Sequence, residues 1–127
     1  MSKKILIVDD LLFDFVLTRR ALQDCAIVDQ IAVAEDGVEA LKQLRIANYD
    51  LILLDIKMPR VSGFELLEQL RAKGNLSAPV FVLFGSNLLA DRERADALGA
   101  AQYVHKFLDY SEFRLNLKQA LARHGFV

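Results

Sequence analysis

Five short aliphatic runs recur along the chain: Ile5-Leu6-Ile7-Val8, the segment around Ile31 and Val33, Leu51-Ile52-Leu53-Leu54, Val80-Phe81-Val82-Leu83-Phe84, and Ala101 to Val104. Each is too short for a helix and stops at acids, glycine or other polar residues, the pattern of strands buried on both faces of a parallel sheet. Helical stretches alternate with them, about Leu11 to Cys25, Val38 to Ile46, Gly63 to Lys73, Leu88 to Leu98 and Tyr110 to His124. Phe64, Leu66, Leu67 and Leu70 fall at helical spacing, Asp10 is placed to cap the first helix, and Gly74 and Gly99 end the third and fourth. The alternation predicts an α/β fold: a five-stranded parallel sheet covered on both faces by five helices, with right-handed crossovers.

A length of 127 residues predicts a single domain, 1–127, with its last helix at the end of the chain and no output domain attached. Composition (54% hydrophobic, 26% charged) excludes disordered and fibrous classes. A net charge of -1 gives no basic surplus for tracking phosphates, so no direct nucleic-acid binding is expected. No apolar run approaches the roughly 20 residues of a membrane helix, and four aliphatics after Lys3-Lys4 are too few for a signal peptide. The single Cys25 suits a reducing cytoplasm and reads as a small buried hydrophobe.

The candidate chemistry lies at the strand ends. The run Leu51 to Leu54 delivers Asp55 to a loop containing Met58-Pro59 and Gly63, and ligands of open parallel sheets bind at that edge, although a strand-end acid can also cap the next helix. Asp9 and Asp10 follow the first strand and Lys106 follows the fifth, so all four share the carboxyl edge. If the first and third strands are neighbours, the acids converge, each resists ionisation, and a cation belongs among them. Carboxylates without histidines or thiols suit a hard divalent ion such as Mg2+. Lys106 adds a point charge for phosphate oxygens. Metal, lysine and a carboxylate nucleophile make a phosphoryl-transfer site in which Asp55 attacks phosphorus. His105 and His124, without partners in sequence, read as surface or packing residues.

At these residues the chain resembles the receiver domains of two-component response regulators, the CheY-like family, over essentially its whole length. The resemblance implies a flavodoxin-like, doubly wound sheet in the order 2-1-3-4-5. It also implies a non-enzymatic signalling module acting by protein–protein contact. Asp55 would accept phosphate from a histidine kinase, and Asp10, Asp55 and the main-chain carbonyl of Lys57 would hold Mg2+. Asp9 would support the metal's water, and Lys106 would pair with the phosphate. Leu17-Thr18-Arg19-Arg20-Ala21-Leu22, Glu35 to Leu41 and Asp109 to Phe113 are similar to stand-alone receivers that partner bacterial phytochrome histidine kinases, often as homodimers.

Two departures from that pattern, at Phe84 and Phe107, carry their own expectations. Phe84 stands where the family has its switch Thr or Ser, so the hydroxyl that would bond the phosphoryl group is missing, and Ser86 is the nearest substitute. Tyr103 matches the switch aromatic and is expected to stay outward because Phe84 fills the space behind it. Lys106-Phe107 replaces Lys-Pro, which predicts a trans bond and a re-routed loop able to displace the ammonium. The stretch Leu11 to Leu17, apolar at every position but Asp14, predicts either a docking or dimer face including Leu12, Phe13 and Val16, or tighter packing under a covering loop. These departures leave a pseudo-receiver, signalling by dimerisation or constitutive binding, as the alternative function. A phosphatase of the haloacid-dehalogenase kind would need a second Asp two residues after Asp55, where this chain has Lys57.

Overall fold

A computed structural model describes residues 3–25, 30–56, 62–72, 78–85, 89–106 and 109–127. Strands β1 (Lys4–Val8), β2 (Gln30–Ala34), β3 (Leu51–Asp55), β4 (Val80–Phe84) and β5 (Gln102–His105) alternate with helices α1 (Leu12–Asp24), α2 (Gly37–Ile46), α3 (Gly63–Ala72), α4 (Leu89–Ala97) and α5 (Tyr110–Arg123). All strand pairs are parallel and the order is β2-β1-β3-β4-β5, the order that the family resemblance implies. No helix among the described residues is long and apolar enough to cross a membrane.

Side chains alternate across a strand, so each aliphatic run feeds two cores. Ile5, Ile7, Leu51, Leu53, Phe81, Leu83 and Val104 pack with Ala21 and Leu22 of α1 and with Phe113, Leu117 and Leu121 of α5. Leu6, Val8, Ile52, Leu54, Val80, Val82 and Phe84 face Ala40 of α2, Phe64, Leu66, Leu67 and Leu70 of α3 and Ala95 of α4. Consecutive apolar residues are therefore required in the central strands β1, β3 and β4, whose two faces are both covered, while the edge strands β2 and β5 are only partly buried. Cys25 is buried in the first of these cores, where desolvation raises its thiol pKa.

Local signals set the helix ends. Asp36 caps α2 by accepting a hydrogen bond from the Glu39 amide at 2.8 Å, and Asp109 caps α5 through the Ser111 amide at 2.8 Å. Helix α1 departs from expectation: its N-cap is Leu11, with no side-chain cap, and Asp10 does not fill that role. Asp9, one residue earlier, accepts from the Leu11 amide at 3.0 Å instead. Asp10 is committed elsewhere, to a cluster of acids at the end of the sheet. His124 packs its ring 5.1 Å from that of Phe81 and meets Gln102, while His105 meets the Gly85 carbonyl, so both are tied to neighbours within the fold.

Gly63 fastens the loop after β3. Its amide donates to the Ile56 carbonyl at 2.9 Å. A Cβ at this position would lie 2.6 Å from both the Asp55 carbonyl oxygen and the Ile56 Cα, contacts with backbone that no rotamer can relieve. Gly63→Ala is expected to lower the free energy of unfolding by about 1–3 kcal/mol, as read by urea denaturation, and to displace the backbone at Asp55.

Candidate functional site

The carboxyl ends of β1 and β3 lie side by side, with Val8 paired to Leu54. The next residues, Asp9 and Asp55, are therefore held at the same level, and both are buried, 2% and 6% exposed. Asp10 completes the group: one carboxylate oxygen from each of Asp9, Asp10 and Asp55 lies within 4.8 Å of the others. Lys106, at the end of β5, donates its amide to the Phe84 carbonyl, which anchors the start of its loop to the end of β4. Its side chain then reaches across the sheet edge to the acids.

The Lys106 ammonium donates to Asp9 Oδ2 at 3.3 Å and to Asp14 Oδ2 at 2.9 Å, and stands 3.7 Å from Asp55 Oδ1. The ammonium thus lies against two of the three clustered acids, Asp9 and Asp55, with its shortest contact made to Asp14. Asp14 was not foreseen as part of the site. Its signal was its position one helical turn beyond Asp10, as the single acid in an apolar stretch.

Burial disfavours the charged form of Asp9 and raises its pKa above the usual carboxylate value. The Leu11 amide and Lys106 act in the opposite sense without overcoming burial. Burial likewise works to lower the pKa of Lys106, but Asp55, the hydrogen bond to Asp14, and Asp9 together outweigh it and hold the ammonium above its ordinary value. Asp10 is less well served. Its Oδ1 is buried and has no hydrogen-bond partner among the described residues. An orphaned carboxylate oxygen in an all-oxygen set, beside two other acids, is a donor arrangement that fits a hard divalent cation.

Phe84 projects from the end of β4 to the opposite face, 2% exposed. Its ring stacks on Tyr103 with centroids 4.1 Å apart and planes 19° apart, and meets Phe64 of α3 at 5.9 Å. Two arginines of α4 cover this stack, Arg92 over Tyr103 at 4.9 Å and Arg94 over Phe64 at 4.3 Å. Tyr103 is half-buried. Its ring lies along the face of Phe84, and burial raises its hydroxyl pKa. The main-chain carbonyl of Lys57, the hydroxyl of Ser86 and the Lys106–Phe107 bond lie outside the described residues. On α1, Leu11, Leu12, Phe13 and Val16 are exposed, Leu12 at 76% and Phe13 at 73%, while Phe15 packs into the core.

The chain matches the response regulator receiver domain over residues 5–118, and it belongs to that family, whose members are signalling modules of two-component phosphorelays. It is 35% identical over 130 residues to the transcriptional regulatory protein CiaR of Streptococcus pneumoniae, covering 98% of this chain and 54% of CiaR. The chain spans about half or less of the length of the curated relatives it matches. Among solved structures, the phosphorylated cyanobacterial phytochrome response regulator RcpA is similar with a TM-score of 0.85 at 29% identity, over 95% of this chain and 92% of that one. The bacteriophytochrome response regulator RtBRR is similar with a TM-score of 0.84 at 33% identity, over all of this chain (100%) and 80% of its own.

The unpartnered oxygen of Asp10 and the repulsion around it give a prediction for the metal-free protein. Asp10→Asn is expected to raise the unfolding free energy in a chelator by about 1–3 kcal/mol, measured by urea denaturation, because it removes a negative charge set beside Asp9 and Asp55 whose Oδ1 has no hydrogen-bond partner among the described residues.

Proposed function

We propose that this protein accepts a phosphoryl group on Asp55 from a histidine kinase, with Mg2+ as the supporting cation, and signals through contact with other proteins. The observation that carries this reading is the buried Asp55 carboxylate at the end of β3, flanked by Asp10 and Asp9 and 3.7 Å from the Lys106 ammonium. Asp10, Asp55 and the Lys57 main-chain carbonyl would hold the metal, with Asp9 supporting its water. Mg2+ when bound neutralises charge gathering on the phosphoryl oxygens.

The remaining roles fall to this chain's own side chains. An oxygen of the Asp55 carboxylate forms the bond to phosphorus as the bond from phosphorus to the kinase's histidine nitrogen breaks, and the nitrogen keeps the electron pair. Lys106 pairs with the phosphoryl oxygens that then stand on Asp55. Leu54 and the strand beneath hold the nucleophile still, since a buried β3 leaves Asp55 little freedom. The exposed apolar turn of Leu11, Leu12, Phe13 and Val16 follows Asp9 and Asp10 directly, and so suits a partner that must bring a phosphohistidine to the site or a second copy of the chain in a homodimer. Similarity to RcpA, whose structure is of a phosphorylated form, and to RtBRR favours a kinase of the bacterial phytochrome kind. A cytoplasmic location follows from such a partner.

Phe84 favours a second reading. With an aromatic ring, stacked on Tyr103, in place of the family's Thr or Ser, the protein would be a pseudo-receiver or dimerising interaction module with weakened switching. Labelled phosphoryl transfer separates the two. Wild type incubated with Mg2+ and a small phosphodonor or a phosphorylated histidine kinase is expected to take up label, and Asp55→Asn is expected to take up none. Uptake that persists in Asp55→Asn would move the acceptor elsewhere, and no uptake by wild type would leave the interaction module.

A further inference from the structure

We propose that Asp14 is a positioning residue that tethers the Lys106 ammonium while Asp55 carries no phosphoryl group, and that a phosphoryl group engages Lys106 only in competition with it. This inference rests on the phosphoacceptor reading above. Its basis is geometric: of the three carboxylates around the ammonium, Asp14 makes the shortest contact, 2.9 Å against 3.3 Å for Asp9 and 3.7 Å for Asp55. An ammonium has three donors and no more. Two are directed at Asp14 and Asp9, and the third direction is left for Asp55.

Charge makes the competition consequential. Asp9, Asp14 and Asp55 share the one Lys106 ammonium, and Asp10 adds its charge beside Asp9 and Asp55. A phosphoryl group on Asp55 would present three anionic oxygens to that same ammonium, in hydrogen bonds assisted by charge on both sides. Asp14 cannot follow the ammonium far, because it is fixed in the first turn of α1, where the neighbouring Phe15 is packed into the core. It is also the most open of the three partners, with its side chain 28% exposed against 0% for Asp9 and 8% for Asp55, so water can satisfy it once the ammonium leaves. Asp9 and Asp55 have no such recourse. Asp14 thus gives Lys106 a resting partner that can be surrendered, and sets how firmly the lysine resists leaving.

The test is a titration with beryllofluoride, a phosphoryl mimic, at saturating Mg2+. Asp14→Asn is expected to bind it roughly three- to tenfold more tightly than wild type, while Asp14→Glu, which keeps the charge, stays near wild type. In a Lys106→Met background the Asp14→Asn gain is expected to vanish. A gain that survives there would mean simple repulsion through space and would overturn the proposal, as would unchanged or weaker binding by Asp14→Asn. If wild type fails to bind beryllofluoride at all, the phosphoacceptor reading falls as well, whereas binding by wild type with no gain in the variant removes the tether alone. A readout without metal or mimic completes the set: by nitrogen-15 NMR, proton exchange at the Lys106 ammonium is expected to be slower in wild type than in Asp14→Asn. Equal rates would count against the tether.

Discussion

The packing of like charges at one end of the sheet is the constraint on which the rest of the structure depends. With carboxylate oxygens of Asp9, Asp10 and Asp55 inside 4.8 Å of one another, each pair repels by about 3–4 kcal/mol at an effective dielectric constant near 20. The strands beneath prevent the acids from separating. Ile7 is paired with Leu53 and Val8 with Leu54, all four fully buried, so relief by spreading β1 from β3 would open both cores. The repulsion is instead met locally. Lys106 brings a charge across the sheet edge, the Leu11 amide serves Asp9, and Asp9 is held toward its neutral form. Asp10 keeps a buried oxygen, Oδ1, with no hydrogen-bond partner among the described residues. That residual imbalance suits a divalent cation.

The other side of the sheet is built on a different interaction. Phe84, Tyr103 and Phe64 form a continuous aromatic contact closed by Arg92 and Arg94 of α4. Aromatic pairs of this kind add about 0.5–1.5 kcal/mol each beyond their burial. The ring of Phe84 thereby ties α3, α4 and β5 to the end of β4, a few residues from the site yet on the opposite face. The end of β4 and the residue after β5 are joined through the main chain, where the Lys106 amide donates to the Phe84 carbonyl.

Much of this was legible in the residues. Runs such as Leu51 to Leu54 are uninterrupted because both faces of the sheet are covered, and that requirement leaves a direct mark on sequence. The convergence of Asp9, Asp10 and Asp55 was legible only conditionally, since adjacency of the first and third strands came from family resemblance rather than from any local signal. The cap on α1 was misread because an acid just before a helix looks the same whether it serves an amide or a site; Asp9 serves the Leu11 amide, and Asp10 faces the cluster. Asp14 was missed for a related reason. Its partner is 92 residues away, and helical periodicity says which residues share a face without saying what stands opposite. The stacking of Tyr103 on Phe84 was hidden in the same way, because register between strands decides it.

The compensation of crowded carboxylates by a bound cation is most directly tested by urea unfolding of wild type in a chelator and in Mg2+ at equal ionic strength. At a hundredfold excess over its dissociation constant, Mg2+ is expected to raise the unfolding free energy by about 2.7 kcal/mol, with no such gain from a monovalent salt. Identical unfolding midpoints with and without Mg2+ would contradict it.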